Sequence, residues 1–224
     1  MQISISTITI LKNFATIHEH ILIEKGSKLS TAAPGGVLAR ATVNESFPVH
    51  VGIYDLTKFL SVVSLFKAPD FNFEDSFVRI CEKDGDGEVT FHYAAPGCLG
   101  PPPPRKVPKF PAQFIEFRLP QEKWAAFQKA SAVLGKNEVR ILSDGNSITM
   151  STYDSKHPHG HEYSAPLEGK THGFSCAAVF EIANLKLLNG SYHAAVTPNY
   201  AVFRNTSGYD LTYWVACDPQ STFE

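Results

Sequence analysis

Glu88-Val89-Thr90-Phe91-His92-Tyr93-Ala94 and Asp210-Leu211-Thr212-Tyr213-Trp214-Val215-Ala216 are two copies of one pattern. Each runs acid, aliphatic, Thr, aromatic, two bulky residues, Ala. Each follows a turn, Asp84-Gly85-Asp86-Gly87 in the first case and Asn205-Thr206-Ser207-Gly208 in the second. β-Branched and aromatic runs behind such turns read as hairpin strands. Upstream of each copy a strand leads into a short helical stretch: Phe47 to Val51 into Tyr54–Leu60, and Phe174 to Val179 into Phe180–Lys186. The same order of elements twice predicts a duplicated domain. The separation is far longer than a solenoid repeat of about 20–50 residues, so it predicts two similar domains.

Composition fits that division. The 224 residues suffice for two small domains, and 43% hydrophobic residues can fill their cores. The formal net charge of −2 does not mark a nucleic-acid binder, although a near-neutral total can hide a basic face on an acidic body. The cysteines, Cys81, Cys98, Cys176 and Cys217, are widely spaced and read as free thiols of a reducing compartment. Met1 to Ile10 lacks a basic n-region, and no apolar run approaches the roughly eighteen residues of a membrane span. The expectation is a soluble cytosolic protein with no membrane contact.

Four helices are predicted. The first covers 7–16, with Ile10, Leu11 and Phe14 on one face. The second covers 55–66, striped by Leu56, Phe59, Leu60, Val63 and Phe66. The third covers 121–134, with Trp124, Phe127 and Leu134 aligned and Pro120 suited to its first position. The fourth lies near 181–188. Strands are predicted at 21–24, 28–33, 37–44, 47–51, 71–73, 77–82 and 88–94, then at 113–119, 139–142, 147–152, 173–178, 191–196, 200–204 and 210–216. Between them, Pro96, Pro101 to Pro104, Pro108 and Pro111 cannot sit inside a sheet and favour an extended strap. The tail from Cys217 reads as loose. The resulting layout is a domain at 1–95, a proline-rich linker at 96–112 and a domain at 113–224. Each domain is α+β, with two short helices on one face of an antiparallel sheet.

No nucleotide-binding loop, dinucleotide fingerprint, nucleophile elbow or His-Glu-x-x-His motif is present. Asp84-Gly85-Asp86-Gly87-Glu88 opens like a calcium loop, but Val89 stands where Gly is needed and Ala95 where Glu is needed, so it reads as a hairpin turn. His157-Pro158-His159-Gly160-His161 could chelate a transition metal through imidazoles two apart, or be a solvated loop with chance histidines. Lys12, Lys58, Lys123, Lys129 and Lys186 lie on the predicted helices, and the only acids there, Asp55, Glu122 and Glu181, occupy first turns, where the helix dipole favours them. Lysines favour exposed helix faces in any soluble protein, which explains the row without a ligand. The other reading is a set of cations presented to a polyanion such as DNA, held without sequence readout.

Leu11-Lys12-Asn13-Phe14-Ala15-Thr16, followed by Ile53-Tyr54-Asp55-Leu56 and Phe59-Leu60, resembles the DNA polymerase sliding clamps of T-even-type bacteriophages. The likeness covers most of the first half and the proline-rich linker, and is weaker around Ile182-Ala183-Asn184-Leu185-Lys186. It implies the DNA-clamp fold with two domains per subunit and a closed homotrimeric ring, since clamp rings generally hold six such domains. It implies a non-enzymatic, cofactor-free processivity factor in the cytoplasm of the infected bacterial host. The ring would encircle double-stranded DNA without reading sequence, be loaded by an ATP-dependent clamp loader, and tether the DNA polymerase and late-transcription factors. On this resemblance Lys12, Lys58, Lys123, Lys129 and Lys186 become pore residues. Tyr93, Leu99, Val107 and Phe110 become either a pocket for partner peptides or the pins that hold the strap to its own domain. Four consecutive prolines in the linker and the histidine loop depart from the phage pattern. The alternatives are a small metal-dependent enzyme using His157, His159 and His161, or an interaction module without a ring.

Overall fold

The structure, a computed structural model, describes every residue except Asp84 and Pro158. The predicted turn at Asp84 and the proline of the histidine loop therefore lie outside the described residues. The chain divides into two units. The first comprises Met1–Ala33, Leu38–Arg105 and Tyr209–Leu211; the second comprises Pro34–Val37, Lys106–Gly208 and Thr212–Glu224.

In the first unit, α1 (Ile5–Ile17) buries Thr7, Ile10, Leu11, Phe14 and Ile17, the three-and-four spacing of an amphipathic helix. Strands β1 (Ile21–Ile23), β2 (Gly26–Ala33), β3 (Val37–Phe47) and β4 (Val51–Ile53) follow, and β1 pairs antiparallel with β4. Helix α2 (Leu56–Val63) starts at Asp55, whose carboxylate accepts the Lys58 N–H at 2.8 Å. It buries Leu56, Phe59, Leu60 and Val63. A meander closes the unit: β5 (Pro69–Phe73), β6 (Phe77–Glu82) and β7 (Glu88–His92), in that spatial order.

In the second unit, β8 (Ile115–Leu119) leads into α3 (Gln121–Leu134), which buries Trp124, Phe127 and Ser131 and ends at Gly135 in the left-handed conformation, φ 64°. Then come β9 (Glu138–Asp144), β10 (Ile148–Tyr153), β11 (Ser164–Leu167), β12 (Gly169–Lys170), β13 (Ser175–Glu181), β14 (Tyr192–Val196), β15 (Tyr200–Asn205), β16 (Asp210–Ala216) and β17 (Thr222–Phe223). One sheet runs β11-β10-β9-β13-β17, and the strands β12-β8-β14-β15-β16 lie side by side in another. Tyr192 and Tyr213 fill the core between them, and both phenols bond the backbone of Leu188. Burial pushes the Tyr192 phenol up to about 12.

The duplication is visible in the pairing of each unit taken by itself. The meander β5-β6-β7 matches β14-β15-β16, and β1 on β4 matches β9 on β13. Met1 and Phe71 exchange backbone bonds of 2.7 and 2.9 Å, as β8 does with β14. The two stretches first quoted hold β7, which ends at His92 rather than Ala94, and β16, each the last strand of its meander.

Four local expectations change. The segment near 181–188 is not an α-helix but a single 3-10 turn, Ile182–Asn184. Leu185 and Leu187 are both buried while Lys186 and Leu188 are not, a period of two that an extended chain satisfies. A helix of eight residues has too little cooperativity to override that. Pro120 is the cap residue, with extended ψ of 147°, and Gln121 is the first helical residue. The tail is not wholly loose, because Cys176 and Ala177 pair with Phe223 and Thr222. Phe47 belongs to the end of β3, and the strand feeding α2 is only Val51–Ile53.

Glu45, on β3, tethers the start of α1. The Ser4 N–H donates to its Oε1 and the Thr7 hydroxyl to its Oε2, each at 2.5 Å. Partial burial pushes this carboxyl up, but the bonds from Thr7 and Ser4 outweigh burial and leave it below the usual carboxylate range. A depressed folded-state pKa adds stability that is present above the unfolded value of about 4.3 and is lost as pH falls through the folded one. Glu45→Gln is therefore expected to lower unfolding free energy at pH 7 by about 1–2 kcal/mol. The difference from the parent protein should shrink in urea titrations as pH falls below 4. An unchanged gap across that range would remove Glu45 as the source.

Candidate DNA-facing helices and strap

Each lysine singled out in the sequence has a definite place. Lys12 on α1 and Lys58 on α2 are exposed, opposite the buried stripes of two helices that pack together in the first unit. The Glu19 carbonyl accepts the Leu56 N–H at 2.8 Å, which ties the segment after α1 to the start of α2. Lys129 on α3 is exposed. Lys123 is half-buried, and its ammonium donates to the Pro166 carbonyl at 2.5 Å. Lys186 is half-buried just beyond the 3-10 turn and is not on a helix. Three of the five thus present open cations, and the other two are drawn into the protein's own packing.

The strap residues divide between the units. In the first, Leu99 is 8% exposed and lies against Gly52. A Cβ on Gly52 would stand 2.7 Å from the Ala94 carbonyl and 3.1 Å from Leu99 Cδ1, so only glycine lets the strap close on β4 there. Tyr93 is half-buried, and its phenol is pushed up to about 12 by burial and then by the charge of Glu74. In the second unit, Val107 is half-buried, and Phe110 packs on His193 with ring centres 4.6 Å apart and planes tilted by 34°. The Arg204 guanidinium lies 4.8 Å from the Phe110 ring, and Trp214 Nε1 donates to the Pro108 carbonyl at 3.3 Å. The strap is therefore anchored on each unit by an apolar side chain. Phe110→Ala is expected to cost about 1–2 kcal/mol from the lost ring contacts. Trypsin should then cut faster after Lys106 and Lys109. An unchanged cutting rate would show that Phe110 does not hold the strap.

The histidine loop is built differently from a metal site. His157 Nδ1 lies 3.1 Å from Asp154 Oδ2, and the same oxygen lies 3.6 Å from Lys136 Nζ. His159 and His161 are exposed. Among the described residues no three His, Cys, Asp or Glu side chains stand together as a metal site. None of the described helices is long and apolar enough to cross a membrane.

Two strand edges escaped the sequence reading. Among the described residues β7 pairs with β6 alone, and none of its residues is buried: Glu88, Thr90 and His92 are exposed and Val89 and Phe91 half-buried. β11 closes one end of its sheet. β11 was hidden by its brevity and by Pro166, which is tolerated at an edge because its nitrogen needs no partner there. The cue available was the alternation of β7 itself, whose Val89 and Phe91 face one side while Glu88, Thr90 and His92 face the other.

Two units of one pairing plan, with amphipathic helices and long antiparallel sheets, make up the DNA-clamp architecture. The proliferating cell nuclear antigen of Entamoeba histolytica superposes with a TM-score of 0.67 at 10% identity, over 95% of this chain and 94% of that one. The Helicobacter pylori beta clamp, solved bound to a DNA ligase peptide, gives 0.70 at 14% identity, over 97% of this chain and 64% of that longer chain. No protein-family model matches the chain. Its sequence is 30% identical to the sliding clamp of Vibrio phage KVP40 over 97% of this chain and 99% of that protein. It is 27% identical to the sliding clamp of Escherichia phage RB69 over the whole of both. The chain belongs to the sliding clamp family of T4-like bacteriophages. This membership does not favour the metal-dependent enzyme.

Proposed function

We propose that the protein acts as a non-catalytic homotrimeric ring around double-stranded DNA in the cytoplasm of the infected bacterium. In this reading 1–95 and 113–224 are its clamp domains and 96–112 is the linker. Lys12, Lys58 and Lys129 face the phosphates, with Lys123 and Lys186 behind them. A clamp loader opens the ring, and the polymerase and late-transcription factors dock apolar peptides beside the strap, near Tyr93, Leu99, Val107 and Phe110. The observation that carries the DNA contact is the exposure of Lys12, Lys58 and Lys129 on the polar faces of α1, α2 and α3. Mobile point charges hold a polyanion without fixing register, which suits sliding. A closed ring of identical chains needs two different complementary surfaces on each subunit. The free edges of β7 and β11 supply them.

Light scattering across a concentration series tests the assembly. The expected mass is that of three 24.6 kDa chains, falling on dilution. A monomer at every concentration, or a stable dimer, would overturn the ring.

A further inference from the structure

We propose that the face of the β8-β14-β15 sheet carrying Arg118 is a second docking groove, for a partner segment that sets a bulky apolar side chain beside a carboxylate. The groove holds about 530 Å³ and lies wholly in the second unit. Half-buried Pro120 is its apolar wall, the buried Leu119 and Tyr192 lie beneath its floor with their side chains in the core, and Ser191 and Thr206 add hydroxyls at its rim. That volume lies in the range of built ligand sites and accepts one or two large side chains.

Charge selects the occupant. The strand register sets Arg118 opposite His193 and His193 opposite Arg204, so three basic residues stand in one row on one face. The nearby carboxylate, Glu116, is already shared: it lies 3.2 Å from His193 Nε2, 3.5 Å from His172 Nε2 and 3.8 Å from Lys170 Nζ. Arg204 sits over the Phe110 ring. Arg118 is exposed, and no described carboxylate pairs with it; Glu168 meets it only through a carbonyl that accepts the Arg118 N–H. An arginine at the mouth of an apolar groove, beside two further basic residues, complements an acidic and apolar segment better than a neutral one.

The test uses the full chain and fluorescein-labelled acetyl-Glu-Leu-Phe-amide, with acetyl-Lys-Leu-Phe-amide as its partner probe, read by anisotropy. The acidic peptide is expected to bind the more tightly. Arg118→Glu should weaken it by about tenfold and reverse the preference between the two peptides. Thr206→Trp, which fills the groove from the other side, should weaken both. Circular dichroism of each variant should match the parent. Equal affinity for the two peptides, indifference to both substitutions, or no binding at millimolar peptide would each overturn the proposal. Displacement of the peptide by inorganic tripolyphosphate but not by unlabelled peptide would also overturn it, because the row would then be a polyanion site. The groove is complete in one chain, so these outcomes are independent of the ring and of its hold on DNA.

Discussion

Replacing Lys12, Lys58 and Lys129 together with glutamate is expected to abolish clamp-stimulated DNA synthesis while the protein still folds. All three are exposed and stand opposite the apolar stripes of their helices, so no core contact is lost. Each change shifts the local charge by two, and all three fall on the surfaces assigned to DNA. DNA carries about one charge per 1.7 Å of axis, so repulsion replaces attraction all along the enclosed duplex. Stimulated synthesis should fall by about tenfold or more at low salt. Neutral Lys→Gln versions should lie between, and each lysine that meets a phosphate should contribute about 0.9 to the salt slope. A control with the same total charge, Lys25, Lys83 and Lys156 to glutamate, should keep most activity, since those exposed residues lie in turns away from the helices. If both triple variants lose activity equally, net charge and not the helix surface is responsible. If the helix variant keeps full processivity, the pore assignment fails.

The sequence carried the fold further than it carried the site. The repeat was legible because β7 and β16 close equivalent meanders, and hairpin strands leave a local trace in turn residues and alternation. Helices α1, α2 and α3 were legible because their buried residues recur at three and four. The turn at Ile182–Asn184 was not, because Ile182, Leu185 and Leu188 recur at three on paper, while the residues that are buried are Leu185 and Leu187, at the spacing of an extended chain. That choice is made by tertiary packing, which outweighs propensity in so short a segment. The lysines were found by type, but side-chain length blurs their exposure. Lys123, on α3, reaches the Pro166 carbonyl on β11, a contact that no helical wheel contains. The Arg118, His193 and Arg204 row was illegible for a related reason: its members come from three strands, and only the register brings them side by side.

Thr90→Pro is expected to convert the assembled protein into monomers. The β6–β7 ladder shows why this position reports on assembly and not on folding. The Tyr93 N–H donates to the Ser76 carbonyl at 3.0 Å and the Glu82 N–H to the Gly87 carbonyl at 3.1 Å, so bonded pairs occur at both ends of the hairpin. In an antiparallel ladder bonded and non-bonded pairs alternate. With Arg79 opposite Thr90, the Thr90 pair is a non-bonded one, and its N–H points away from β6. Proline there leaves every β6 bond in place and removes a donor from the free edge, the device by which natural edge strands resist pairing. An unmade bond at an interface costs about 1–3 kcal/mol, which is roughly ten- to hundredfold in dissociation constant at each contact. A closed trimer has three such contacts and loses at all of them. If the parent is the proposed trimer, three times heavier, light scattering of the variant should therefore give 24.6 kDa at the same concentrations. Val89→Pro, at a bonded pair facing β6, should instead damage the meander itself and lower the unfolding midpoint. If Thr90→Pro still assembles like the parent, β7 is not a ring surface, and closure must use another edge of the same sheets.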